Sequence, residues 1–165
     1  MPEDFCDRID LSARVTSAGW DDVRRTHDEA EEAGSLCAAM ASMVAVELQA
    51  VAPTSKADID LAYGNASVVV TAPDAWATLG EVETSTPSVA ASWERSRSAL
   101  FAADERFEDD GATRIRRADA VADDNLVVRL VVTATVPESD RHAAIERVNR
   151  LADLVLDAVP DAVTS

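Results

Sequence analysis

The clearest pattern in the chain lies between Asn125 and Val159. Leu126, Val128, Leu130, Val132, Ala134 and Val136 alternate with Val127, Arg129, Val131, Thr133 and Thr135, so one face is wholly apolar and the other mixed. This spacing predicts a half-buried strand. Pro137 cannot donate to a ladder and Ser139 is a candidate N-cap. Ile145, Val148, Ala152, Val155 and Val159 then recur at three-four spacing until Pro160 stops the pattern, predicting an amphipathic helix that needs a sheet to lie on.

Upstream, helical spacing also runs through Val23, His27, Ala30, Gly34, Cys37, Ala41, Val44, Leu48 and Val51, predicting one long helix from Trp20 to the stop at Pro53. Gly34 inside it marks a close helix contact or a break. Before it, residues 1–18 read as a loosely ordered leader, or as a short strand around Leu11 to Thr16, and residues 19–165 as one domain. Ile59, Leu61 and Tyr63 alternate with polar neighbours, and Gly64-Asn65 offers turn residues before Ser67 to Ala72, which predicts a hairpin. Residues 75–86 are ambiguous: Trp76, Leu79, Val82 and Thr84 suit either a helical turn or a third strand, and a turn followed by a short strand is the preferred reading. Thr86-Pro87-Ser88 opens a predicted helix with Val89, Trp93, Leu100 and Phe101 on its apolar face, ending near Phe107.

Thr113 to Val121 reads as a strand paired through the Asp123-Asp124 turn with Leu126 to Val136. Its register is open, because one parity brings Arg114 and Arg116 to the core and the other brings Arg117 and Asp119; a bulge or an edge position would resolve this. The expected fold is α+β, an antiparallel sheet of four to five strands packed against two or three helices in the order α-β-β-(β)-α-β-β-α.

That order, carried by Ala99-Leu100-Phe101-Ala102-Ala103 as a helix end, the Gly111 turn, the strand Leu126 to Val136 and the closing helix Ser139 to Val159, resembles the class I type III secretion chaperone-like fold. The resemblance implies a middle helix that builds a homodimer, and a sheet and helices that bind extended segments of other proteins without chemistry.

Composition narrows the partners. Fifteen basic residues against 31 acidic ones give a net charge of -16, with Lys56 the single lysine. Such a surface repels phosphate backbones and anionic head groups, so neither nucleic acid nor membrane is the expected partner. The balance resembles that of haloarchaeal proteins, with a high-GC actinobacterium as the alternative source, and reads as a dispersed solubility coat. The longest uncharged run, Ala33 to Val46, is 14 residues and too short to cross a bilayer. With no signal-peptide pattern at the start, the expected location is cytoplasmic. Cys6 and Cys37 belong to no CxxC or Cys/His cluster and are not expected to form a structural disulfide.

No catalytic motif, phosphate loop or metal-ligand spacing stands out, and no cofactor is expected. His27 and Glu31 sit four apart in the predicted helix, but a single nitrogen ligand on a solvated acidic face reads as surface, as does His142. Six arginines fall between positions 95 and 117, interleaved with acids; internal ion pairs are the preferred reading, and Arg114, Arg116 and Arg117 are the candidate anion site. The functional expectation is a non-enzymatic protein-binding module, a cytoplasmic adaptor or chaperone-like domain whose partner is another protein or itself. Trp93, Leu100 and Phe101 are its candidate interface, and the apolar part of the first helix is a second candidate for the dimer contact. The alternative is a small anionic-ligand-binding or enzymatic domain using the three arginines.

The charge yields the first prediction. Raising salt from about 0.01 M to about 1 M shortens the Debye length from roughly 30 Å to roughly 3 Å and screens self-repulsion. The melting temperature is therefore expected to rise across a potassium chloride series; a flat or falling series would show that the acidic residues do not limit stability.

Overall fold

The strand and helix expected at the end of the chain form the centre of the molecule. In the computed structural model, which describes residues 1–31, 34–71, 81–89, 92–105 and 111–164, β7 spans Leu126–Pro137 and α4 spans Arg141–Val163. Before them come α1 (Phe5–Ile9), α2 (Leu11–Ser17), β1 (Arg25–Glu31), β2 (Gly34–Met40), β3 (Val44–Val51), α3 (Lys56–Ser67), β4 (Val82–Ser85), β5 (Arg95–Glu105) and β6 (Ala112–Asp123). The seven strands among the described residues make one antiparallel sheet in the order β1-β2-β3-β7-β6-β5-β4. The α+β class and the antiparallel sheet under helices are as the sequence predicted, but with seven strands rather than four or five, and in a different order.

The even-numbered residues of β7 face α4, whose Val148, Leu151, Ala152, Val155, Leu156 and Val159 are buried against them. α4 does not stop at Pro160: it continues to Val163, because Val159 and Ala162 on its buried face still pack on the core. It also begins later than Ser139, after a 3-10 turn over Glu138–Asp140. β6 and β7 pair as expected, with Asp123 opposite Leu126 and the turn at Asp124-Asn125, where Asp124 takes the left-handed conformation at φ 46°.

The long helix expected from Trp20 to Val51 is instead the three strands β1, β2 and β3. Cys37, Ala39 and Ala41, then Val44, Val46, Leu48 and Ala50, alternate into the core, while Ala38, Ala45 and Glu47 face the other way. Helical and strand spacing share Cys37, Ala41, Val44 and Leu48, and pairing of β3 with β7 decides between them. Gly34 is opposite Val51, and a Cβ there would run into the Ala50 carbonyl oxygen of β3. Its role is close strand approach rather than helix contact.

The hairpin expected around Gly64-Asn65 is α3. Ser55 caps it by accepting from the Asp58 amide, and Ile59, Ala62, Tyr63 and Ala66 pack as one helical stripe on Ala120, Ala122 and Val127, leaving Leu61 outside. The helix expected from Thr86 to Phe107 is β5, in which Ala99 to Ala103 are buried on both sheet faces, so their alternation is erased. The short strand within 75–86 is β4; Trp76, Leu79 and the expected helix end at Phe107 lie outside the described residues.

Residues 1–18 are not a loose leader and hold no strand. α1 and α2 bury Phe5, Ile9, Leu11 and Val15 on the α4 side of the sheet, and Asp10, with φ 46°, turns the chain between them and caps α2. Cys6 of α1 is disulfide-bonded to Cys37 of β2, with Cα atoms 5.5 Å apart, contrary to the expectation of two unpaired cysteines. The pairing was hidden because it depends on α1 lying against β2. Among the described residues no helix is long and apolar enough to cross a membrane.

Closing a loop whose ends are 31 positions apart is worth about 3–4 kcal/mol in the chain-entropy account. A Cys6→Ala/Cys37→Ala variant is expected to lose about that much stability in urea denaturation and to expose residues 1–18 to protease; an unchanged urea midpoint would refute the role of the staple.

Candidate functional site

The three arginines proposed as an anion site are separated by the pleat. Arg117 points to the α4 side of β6, while Arg114 and Arg116 point to the α3 side. Neither a bulge nor an edge position resolves the register, since β6 is an inner strand. A buried ion-pair network does. Arg117 and Asp119, 1% and 0% exposed, are two apart on one strand face, and Arg117 Nε donates to Asp119 Oδ2 at 3.0 Å. Its Nη1 donates to the carbonyl and side-chain oxygens of Asn149, both at 3.1 Å, and its Nη2 to Asp153 Oδ1 at 2.8 Å, both partners being on α4. Ser98 of β5 donates to Asp119. Burial pushes the Asp119 carboxyl above the usual carboxylate range, against the pull of Arg117 and Ser98. Arg117 is thus a structural tie between sheet and helix.

Ion pairs also account for Arg95, which meets Asp60 of α3 at 2.8 Å and lies over the Tyr63 ring. Arg141, at the start of α4, holds Glu83 of β4 at 2.7 Å and Asp104 of β5 at 3.1 Å. Trp93, Leu100 and Phe101 are 8%, 5% and 3% exposed, so they are core rather than an interface patch. His27 and Glu31 lie on a strand, where residues four apart are separated by about 13 Å, so the helical ligand pair does not exist. His142 is on the surface beside Glu146. Among the described residues no group of three or more His, Cys, Asp or Glu converges as a metal set.

What remains is the side of the sheet away from α4. α3 covers it only where Val51, Val127, Ala120 and Ala122 meet. Beyond α3 the registers of β2, β3 and β7 place Ala38, Glu47 and Val131 in one cross-strand row, and Met40, Ala45 and Thr133 in the next. These residues, with His27, line a concavity of about 350 Å³. Its floor is small and apolar and Met40, 53% exposed, lines it; Met43, 47% exposed, lies in the turn between β2 and β3. Toward α3 the same face continues into a cleft of about 240 Å³ lined by Gln49, Val51, Ala62, Asn65, Val127 and Arg129. The Arg129–Glu47 ion pair, at 3.1 Å, separates the two. Arg116 donates to the carbonyls of Val69 and Thr71, just beyond α3; burial, and then the charge of Arg129, hold its guanidinium below its usual pKa.

Sequence reasoning missed this face entirely. Its one visible signal was the mixed parity of β7, with Arg129, Val131 and Thr133, and the matching parity of β3 was masked by the helical reading. No family model matches this chain, and no curated protein matches it. Among solved structures it is similar to LpqN of Mycobacterium tuberculosis, described as involved in cell envelope biogenesis, at 11% identity over 79% of this chain and 75% of that one, with a TM-score of 0.43. A likeness that distant transfers neither a fold nor a role.

Removing one partner of a buried ion pair costs about 3–5 kcal/mol. Asp119→Ala is expected to destabilise by about that amount in urea melts. Because the folded pKa of Asp119 lies above the ordinary value of 3.8, the folded state binds the extra proton between the two, and the contribution of this carboxyl falls as pH rises through that window. The stability of the wild type relative to Asp119→Asn should therefore decline from about pH 4 upward and then level; a relative stability that rises with pH there would reverse the assignment.

Proposed function

We propose that this chain is a non-enzymatic binding domain that takes another protein across the uncovered part of its sheet, in an adaptor or chaperone-like role. The observation that supports it is the concavity over Ala38, Ala45, Val131 and Thr133. On the α4 side a continuous core is buried under helices, whereas here small apolar side chains form a floor beside the exposed thioether of Met40. Small floor residues leave room for a partner's larger side chains, and methionines adapt to irregular ones. Extended segments lying on such a face need no catalytic group. A second copy of the chain is the self-association form of this reading, using the strands β2 and β3 in place of the helix first expected to build a dimer.

The net charge of -16 continues to disfavour nucleic acid and anionic membrane as the partner. The Cys6–Cys37 disulfide supports an oxidising compartment over the cytoplasm as the working location, because cytosolic thiol pools keep such pairs reduced.

A photo-crosslinking amino acid at Ala38 is expected to give one discrete adduct in the native cell, while the same group at Glu146, exposed on the far side of α4, gives none. Light scattering of the purified chain in molar salt then reads whether the partner is a second copy, which would appear as a doubled mass. Equal and diffuse labelling from both positions would sink the assignment.

A further inference from the structure

We infer that the cleft between α3 and the sheet is a binding site for a small carboxylate with a short apolar body, held by Arg129 and the side-chain amides of Gln49 and Asn65. The cleft sits beside the proposed partner face but stands on its own observations. Its walls are apolar, made by Val51, Val127, Ala62 and Ala66, and its polar groups converge from three different elements: Gln49 from β3, Arg129 from β7 and Asn65 from α3. That combination, an apolar enclosure with a few oriented polar groups, is what small-ligand sites share.

The charges select the ligand. Among the described residues two guanidiniums, Arg116 and Arg129, lie near the Glu47 carboxylate, inside a chain of net charge -16. Arg116 spends its hydrogen bonds on two backbone carbonyls. Arg129 meets Glu47 through Nη2, and its side chain is 36% exposed at the cleft, which leaves the Nη end of its guanidinium within reach of an incoming ligand. A carboxylate oxygen is the acceptor that the guanidinium fork matches best. The amides of Gln49 and Asn65 make no hydrogen bond among the described residues, and can donate to the same carboxylate. About 240 Å³ admits a branched aliphatic acid but not a long chain.

The test titrates the intact chain with sodium isobutyrate at constant ionic strength, following the side-chain amide resonances of Gln49 and Asn65, with isobutyramide as the uncharged isostere. Saturable shifts are expected with isobutyrate alone. Arg129→Gln should weaken binding about tenfold or more, the loss of one charge-assisted pairing. Ala62→Leu, which fills the cleft from α3 while keeping every charge and a good helix former, should abolish it. Isobutyramide binding as tightly as isobutyrate, shifts that never saturate, or unchanged affinity in Ala62→Leu would each overturn the assignment. Crosslinking from Ala38 is read separately, so failure of either proposal leaves the other intact.

Discussion

A guanidinium enclosed between an inner strand and the longest helix constrains most of this structure. Placing Arg117 at 1% exposure would be prohibitive without compensation, and it is met on every side: by Asp119 on its own strand and by Asn149 and Asp153 across the interface. The arrangement accepts only one rotation of α4 about its axis and only one parity of β6. A slip of β6 by one residue would put Arg116 and Ala118 where Arg117 and Asp119 lie, leaving the guanidinium under the helix without its strand carboxylate. Apolar packing alone is non-directional and could have tolerated several settings of α4 over the same floor.

That interface divides the molecule into two unequal sides. Under α4 the core is continuous from β2 across to β5 and is extended by α1 and α2, which the Cys6–Cys37 bond holds against β2. On the other side α3 spans only part of β3, β7 and β6, and its small Ala62 and Ala66 let it sit close to the sheet. Toward β2 and β1 the strands keep a polar-to-small face toward solvent, whereas Ala99, Phe101 and Ala103 of β5 are buried on the same side. The surfaces open to ligands and partners are therefore a consequence of how little of the sheet one twelve-residue helix can cover.

The arginines work against the background charge in a consistent way. Arg117, Arg95 and Arg141 each join a helix to a strand, so attractive pairs sit at the joints of a chain whose surface is otherwise self-repelling. The exposed pairs among them contribute little energy individually, but they set which helix end meets which strand. Arg129 and Arg116 differ in lying on the uncovered face, where their mutual repulsion is only partly offset by Glu47.

By itself the sequence determined the β6–β7 hairpin, α4 and the α+β class, because eleven alternating positions followed by a long three-four repeat admit no competing period. Of the six arginines between 95 and 117 that it read as internal ion pairs, Arg95 and Arg117 are seen so paired among the described residues. Elsewhere two periods fit the same residues. Cys37, Ala41, Val44 and Leu48 satisfy helix and strand alike, and only pairing with β7 selects β2 and β3. Ile59 to Tyr63 alternate over too few residues to exclude a helix, and contact with Ala120 and Val127 decides for α3. β5 is buried on both faces and so shows no period at all. The disulfide and the Arg117 network join groups 31 to 36 positions apart, and the cleft joins side chains from β3, α3 and β7. Such juxtapositions leave no trace in local spacing, since the physical force that makes them, burial of one element against another, acts only once the tertiary structure has formed.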